Sequence, residues 1–344
     1  MEQTVKCMRS PEIDIAKGIG ILLVVLGHAV PDANTGIQNM FWAASFNWIY
    51  SFHMALFMTM AGVLFFRKAV ACQSWKEKCR ELKNRGGGRL LAPYLFYSLL
   101  ILAAKLVFSS LSREAISAQS IIEILFGNSP CGNMWFLWTL FSVSAIVLLV
   151  PKSNWFPLPL LIVSTALYFL QNIDIGNMDF GIGKICNMLV WFSLGMLLGK
   201  NIDKLNTLHK CSTSTKTLLI VSIVLVQILI LKIRPNTAFP LAFKYLAAVS
   251  GIALTIAISI LCAEREGKLV NILQRLGKNS MCIYVFSYFV QTPGVTLYRK
   301  LGSCGIPYHI WVIALTVFAL LFADIITKIV RKNKVLKFIL LGEK

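Results

Sequence analysis

The sequence predicts an all-α, polytopic integral membrane protein of about ten transmembrane helices, with both termini cytoplasmic. Three observations predict it. Hydrophobic residues make up 57% of the 344 residues and charged residues only 14%, against about 25% charge in an ordinary soluble chain. The apolar residues fall into runs near the length a bilayer crossing needs, about 20 residues each. The basic residues concentrate in alternate connecting segments, as the positive-inside rule requires. Ten such helices use roughly 200 residues, so the chain reads as a single membrane domain over 1–344, with no soluble domain expected before or after it. The composition excludes intrinsic disorder and highly polar repeats.

The first apolar run covers residues 13–30. A cleaved signal peptide is the alternative for it, but His28 interrupts its apolar part and the following Pro-Asp-Ala-Asn-Thr-Gly offers no clean small-residue cleavage site. Further runs lie at about 46–66, 90–108, 135–150, 157–173, 185–199, 217–231, 240–262, 280–292 and 308–327. With a cytoplasmic N-terminus, the inward-facing segments hold 25 of the 34 Lys and Arg and the outward-facing ones hold 5. The net charge of +19 is therefore mainly a topology signal, with an affinity for anionic lipid, and no nucleic-acid partner is expected. The nine cysteines form no CxxC pair. Cys7, Cys72, Cys79 and Cys262 fall on the reducing side. Cys131 and Cys304 fall in outward loops, where pairing and free thiols both stay open. The histidines at 28, 53, 209 and 309 have no metal-ligand spacing, so no metal is expected.

Polar residues inside apolar runs carry the functional signal. Asp14 and Lys17 are three apart and share a helix face, either as a salt bridge that eases desolvation or with Lys17 serving a phosphate. His28 lies 14 residues beyond Asp14, about 21 Å along a helix, so the two belong to opposite membrane depths. His53 is about seven residues into the second run, roughly 10 Å below its start. It can therefore face His28 in the outward half of the bundle. Histidine has its ordinary pKa near neutrality and suits general-base work; a plain interhelical hydrogen bond is the alternative for each. His209 and His309 read as loop and interface residues.

Residues 67–89 carry eight basic side chains and end in Arg-Gly-Gly-Gly-Arg. Glycine lets a backbone approach a ligand closely and guanidinium pairs with phosphate, so Arg85 and Arg89 are phosphate-binding candidates. Pro93 suits the first turn of the third span. Asn133 is placed to cap the helix at 135. Trp48, Trp135, Trp138 and Trp155 read as interfacial anchors, and Lys105 and Lys244 can snorkel. Asn187, Ser280 and Tyr284 are placed to line the interior.

Taken together these segments resemble the acyltransferase-3 family of membrane acyltransferases, in particular the bacterial polysaccharide O-acetyltransferases and fucose 4-O-acetylase-like proteins. The likeness runs over essentially the whole chain. Its opening is an Asp, a basic residue, an apolar helix and a His, here Asp14, Lys17 (where the family usually has Arg) and His28. Phe-His-Met-Ala-Leu-Phe from Phe52 and ending at Gly62 is similar to a second family segment, with Ala55 for Pro and Ala61 for Ser. Arg89-Leu-Leu-Ala-Pro-Tyr94 matches a third, although Arg85 stands one place off the usual Arg pair. Trp135-Phe136-Leu137 and Gly277 to Ser287 match the last two, with Ser287 replacing a frequent His.

The resemblance implies a membrane O-acyltransferase, most simply one that moves an acetyl group from acetyl-CoA to a sugar hydroxyl of a surface polysaccharide or its lipid-linked precursor. It implies a multi-pass protein of a bacterial inner membrane with no permanently bound cofactor. The partners are acetyl-CoA, a carbohydrate or lipid-linked glycan acceptor and membrane lipid. His28 and His53 would be catalytic, while Lys17, Arg85 and Arg89 would meet the donor phosphates. Asp14, Asn133, Trp135 and Tyr284 would support them. Direct transfer and an acyl-enzyme are both open. A transporter or flippase for a glycan lipid is the alternative function, since many polar residues inside membrane helices also suit transport.

Overall fold

A computed structural model of the chain describes residues 10–31, 39–72, 74–107, 118–151, 156–170, 181–202, 211–233, 240–300 and 305–343. Cys7, Trp155, His209 and Cys304 lie outside them. The described residues form helices and connecting turns, with no strand among them. The helices are α1 (Pro11–His28), α2 (Met40–Ala71), α3 (Trp75–Glu81), a π-helical segment (Leu82–Leu91) and α4 (Ala92–Val107). They continue with α5 (Ala118–Leu125), α6 (Trp135–Leu149), α7 (Leu158–Leu170), α8 (Ile182–Lys200), α9 (Thr213–Ile233) and α10 (Pro240–Ala263). Last come α11 (Lys268–Lys278), α12 (Ser280–Lys300), α13 (Tyr308–Val330) and α14 (Lys334–Leu341).

Each of the ten apolar runs falls on one of these helices. Among the described residues, six helical stretches are long and apolar enough to cross a membrane: Met40–Ala71, Trp75–Val107, Ile182–Lys200, Thr213–Ile233, Pro240–Ala263 and Tyr308–Val330. The other four depart from a uniform apolar span for visible reasons. Helix α1 carries Glu12, Asp14 and Lys17. Helices α6 and α7 have 15 and 13 residues. Helix α12 is rich in polar residues and contains Pro293.

The chain folds as two compact units, Met1–Met60 with Ile202–Ala323 and Ala61–Asn201 with Asp324–Lys344. In the first, α1 packs against α10, α11 and α12. The α1–α11 crossing is backbone on backbone. A Cβ on Gly18 would stand 2.0 Å from the Leu273 carbonyl oxygen, and one on Gly277 would stand 1.7 Å from the Asp14 carbonyl oxygen. Gly251 of α10 gives way to the Phe52 ring of α2 in the same manner, at 2.3 Å. Glycine at such crossings lets helices approach closely where lipid supplies no hydrophobic drive between them. A buried Lys216 pairs with Glu264 where α9 begins and α10 ends.

In the second unit, the C-terminal half of α2 meets α8 at Gly62 and Gly199. Cβ atoms there would lie 2.1 and 2.8 Å from the carbonyl oxygens of Phe192 and Val63. Helix α8 also packs on α6 and α7, with Tyr168 edge-on to Trp191 at 5.9 Å. The third span does not begin near Pro93, as the sequence suggested. The helical path starts at Trp75 and runs to Val107. Proline inside an α-helix loses one hydrogen bond and clashes with the carbonyl four residues earlier. Here the preceding turns are π-helical, and the Ala92 N–H donates to Gly87 O, five residues back. The wider turn accommodates Pro93 without ending the helix.

Two stability predictions follow from these contacts. Gly277→Ala should cost about 3 kcal/mol or more, at or above the top of the usual overpacking range because the clash is with backbone, and lower the melting temperature of the detergent-solubilised protein. Gly267→Ala, at an extended residue with open space around it, should leave it unchanged.

The second concerns Glu343, which accepts two hydrogen bonds from the Arg331 guanidinium at 2.8 and 2.6 Å. That pairing holds its carboxyl below the usual value, against a smaller opposing effect of burial and with help from the charges of Arg331, Arg89 and Lys337. A depressed carboxyl pKa gives stability that is complete above the unfolded value of about 4.3 and is lost as pH falls through the folded value. Glu343→Gln should cost under about 1 kcal/mol at pH 7, because the pair is partly solvated. Melting curves of variant and wild type should converge as pH drops from 5 to 3.

Candidate active site

The last turn of α1 presents His28 beside the first turns of α2. The dipeptide Gly27-His28 has a steric logic: a Cβ on Gly27 would sit 3.0 Å from Cε2 of Tyr50, so glycine there lets the tyrosine ring lie against the turn that carries His28. Tyr50 is stacked on Phe46 at 3.9 Å, one helical turn earlier, which fixes its ring. Its hydroxyl is 3.4 Å from Nδ1 of His28, and the two rings meet edge-on at 6.0 Å.

His53 lies on the same face of α2, three residues after Tyr50, with ring centroids 4.7 Å apart. The two histidines thus flank one tyrosine, which stands between them on the α2 side. His53 is 4% exposed, and its Nδ1 is 2.8 Å from the Ile49 carbonyl oxygen. A carbonyl only accepts, so Nδ1 carries the proton and Nε2 of the neutral ring is left with its lone pair. His28 is half-buried. His28 is the more accessible ring, and His53 is the deeper one whose tautomer is locked.

Helix α12 supports this end of α1 with a buried polar face. Tyr284, Ser287 and Gln291 fall at i, i+3 and i+7 and are 8%, 2% and 2% exposed. The Gln291 amide Nε2 donates to the carbonyl of Val25, three residues before His28. Ala29 N–H donates to the same carbonyl at 3.1 Å, so Gln291 braces the turn that ends in the histidine. Sequence reasoning named Tyr284 and Ser287 but not Gln291 or Tyr50. The signal for Tyr50 was its position three before His53, on one helical face. The signal for Gln291 was its amide within an apolar run.

At the other end of α1, Asp14 Oδ1 and Lys17 Nζ are 3.7 Å apart, the salt-bridge option of the two the sequence offered. Asp14 is buried, and its carbonyl lies against Gly277.

The remaining candidates belong to the second unit. Arg85 and Arg89 both lie in the π-helical segment, and the placement of the Arg85 side chain lies outside what is described. Arg89 is exposed, and its charge acts on Glu343. A Cβ on Gly88 would lie 3.4 Å from the Phe338 ring of α14, and one on Gly342 would lie 2.4 Å from Cα of Arg89. At least Gly88 of the triple glycine thus serves helix packing.

Asn133 does not cap α6. The N-cap is Met134, which makes no side-chain cap bond, and buried Asn133 accepts from the Cys131 thiol at 3.3 Å instead. Burial pushes that thiol up to about 12, so Cys131 stays protonated at neutral pH and is no ready nucleophile. Trp135 is half-buried and edge-on to Phe136 at 6.0 Å. Trp138 is more than an interfacial anchor. Its indole donates to Leu125 O at 3.1 Å, and its ring lies where a Cβ on Gly127 or Gly181 would stand, two residues with φ of +86° and +71°.

The family model described as an acyltransferase domain, acyltransferase-3, matches residues 10–328. The chain belongs to the acyltransferase-3 family. The match takes in every candidate residue named above. Two curated proteins are similar to it, both named Nodulation protein NolL. The one from Sinorhizobium fredii (strain NBRC 101917 / NGR234) is 29% identical over 201 residues, 57% of this chain and 50% of that protein. The one from Mesorhizobium japonicum (strain LMG 29417 / CECT 9101 / MAFF 303099) is 32% identical over 136 residues, 39% of this chain and 34% of that protein. The chain thus aligns with half or less of the length of these relatives. No solved structure matches it.

Tyr50→Phe keeps the stacked ring and removes only the hydroxyl beside His28. It should lower the rate of acyl transfer about tenfold, the effect of one well-placed hydrogen bond of about 1.4 kcal/mol. It should also change the pH–rate profile. An unchanged rate and profile would show that the hydroxyl does not act on His28.

Proposed function

We propose that this protein is a multi-pass O-acyltransferase of a bacterial inner membrane, with both termini cytoplasmic. It moves an acetyl group from acetyl-CoA to a sugar hydroxyl of a surface polysaccharide or of its lipid-linked precursor. The observation that carries the reading is the pair of histidines on α1 and α2, held around Tyr50 within a chain of the acyltransferase-3 family.

In the proposed reaction His28 is the general base. With its Nδ1–H turned to the Tyr50 oxygen, Nε2 takes the proton of the acceptor hydroxyl. The freed oxygen attacks the thioester carbonyl carbon, and the C–S bond breaks as the tetrahedral intermediate collapses. The leaving CoA thiolate recovers the proton from the imidazolium. His53, with its proton fixed on Nδ1, offers a second acceptor nitrogen to align the acceptor or to tune His28. Lys17 is the phosphate contact of the first unit, and Asp14 sets its position. Arg85 and Arg89 form a second cationic element, proposed as a phosphate contact from residue type. Tyr284, Asn133 and Trp135 are supporting residues in this scheme.

The test uses inner membranes that contain the protein, radiolabelled acetyl-CoA and host polysaccharide precursors. Label should enter the glycan fraction with the wild type. His28→Ala should reduce it at least about 100-fold, the lower range for loss of a general base, with protein level unchanged. Wild-type labelling that survives in His28→Ala would remove His28 as the base. An acceptor pool left unlabelled by the wild type would remove the transferase reading.

A further inference from the structure

The start of α2 and the start of α13 build a small polar site inside an aromatic rim. Trp42 of α2 donates its indole N–H to Nδ1 of His309 at 2.8 Å. An indole nitrogen only donates, so Nδ1 of His309 is an acceptor and the neutral ring carries its proton on Nε2. Asn39 faces that Nε2–H. Its Oδ1 accepts the backbone N–H of Trp42 at 3.2 Å, which fixes the amide with its NH2 group towards the imidazole. The two nitrogens, Nδ2 of Asn39 and Nε2 of His309, are 3.5 Å apart. Both are donors, so neither satisfies the other. They converge on one point, where a single oxygen at about 2.9 Å from each would accept from both.

Apolar ring faces surround that point. Phe41 is 63% exposed and lies 6.0 Å from His309 and 5.4 Å from Trp42. Along the same rim, Tyr298 meets Tyr308 at 5.7 Å and Trp311 at 5.2 Å. The rim is continuous with the turn that carries His28. Ala29 and Val30, the next two residues, pack in one cluster with Trp42 and Val312, and the Tyr308 hydroxyl donates to Pro31 O at 2.8 Å.

We propose that this rim binds the carbohydrate acceptor, with one sugar hydroxyl oxygen held between Asn39 and His309 and a C–H face of the sugar ring on Phe41. The proposal rests on the acyltransferase reading and adds where the acceptor lies. An uncharged ligand bearing hydroxyls beside C–H faces matches two neutral donors set beside the exposed Phe41 ring and the half-buried Tyr298, Tyr308 and Trp311. A membrane-interface anchor needs the rings but not the convergent donors.

The test uses the purified full-length protein in nanodiscs of zwitterionic lipid, titrated without acyl donor. The probe is the de-O-acetylated repeat-unit oligosaccharide of the host's surface polysaccharide. Asn39→Asp keeps the oxygen that accepts from Trp42 and turns the second donor into an acceptor, which can close directly on His309. His309→Phe keeps a ring and removes Nε2–H, and Phe41→Ala removes the exposed face. Each should weaken oligosaccharide binding about tenfold or more, the value of one lost hydrogen bond or contact of about 1.4 kcal/mol. In turnover each should raise the acceptor KM by the same factor, with kcat and the acetyl-CoA KM unchanged. Should a ring variant fail to fold, the nearly isosteric Asn39→Asp decides by binding alone.

Wild-type binding in all folded variants, with acetyl transfer intact, would overturn the platform and leave the transferase standing. Loss of binding in the variants of a protein that transfers no acetyl group would keep the platform and remove the transferase. A change only in partition between zwitterionic and anionic vesicles would make the rim a headgroup anchor and overturn the proposal.

Discussion

The first unit depends on one contact, the crossing of α1 and α11 with no side chain between the backbones. Gly18 meets the Leu273 carbonyl and Gly277 meets the Asp14 carbonyl. A pair of glycines gives the closest approach two helices can make. That approach fixes the axial position of α1. The position of Asp14 and Lys17 at one end and of His28 at the other, about 21 Å away, follows from it.

The C-terminal half of α1 is held by polar contacts instead. Gln291 donates to Val25 O, Tyr308 donates to Pro31 O, and Gly27 admits the Tyr50 ring. A buried amide or hydroxyl in an apolar medium is costly unless bonded, so each such group specifies a single arrangement as well as stabilising it. His53 shows the same principle at the site itself. Its bond to Ile49 O satisfies one nitrogen with backbone from its own helix, at no cost in new packing, and so leaves the other nitrogen defined as an acceptor.

Much of this was legible in the sequence because the bilayer imposes a simple rule: apolar runs of sufficient length become helices. All ten runs did, and the polar residues lipid should exclude, His28, His53, Asp14 and Lys17, did lie at packed positions. Where the reading failed, local signals were overruled by packing. Pro93 carries the signature of a helix start, yet a π-helical segment lets the helix run through it. Asn133 stands where a cap is expected, yet α6 begins one residue later and the amide goes to Cys131. The triple glycine suggested a close backbone approach to a ligand, and at Gly88 the Phe338 ring of α14 lies within van der Waals contact of where a Cβ would stand. The first two turn on backbone geometry within a few residues, which composition does not signal, and the third on Phe338, far away in the chain. His309 was passed over for the same reason: its significance depends on Trp42 and Asn39, some 270 residues earlier.

The replacement of the frequent family histidine by Ser287 gains a physical meaning in this setting. A serine hydroxyl has no basicity near neutral pH, so no second base can come from that position on α12. The buried face on which Ser287 lies still has a polar role, since Gln291 one turn further reaches the backbone of α1. Helix α12 thus serves to hold another helix's ring in place. Among the described residues the imidazoles near this end of α1 are those of His28 and His53 around Tyr50, with Nδ1 of His309 committed to Trp42. In the proposed reaction acid–base chemistry runs through His28 with His53 close by, and the seating of α1 against α11 and α12 holds that half-buried imidazole in place.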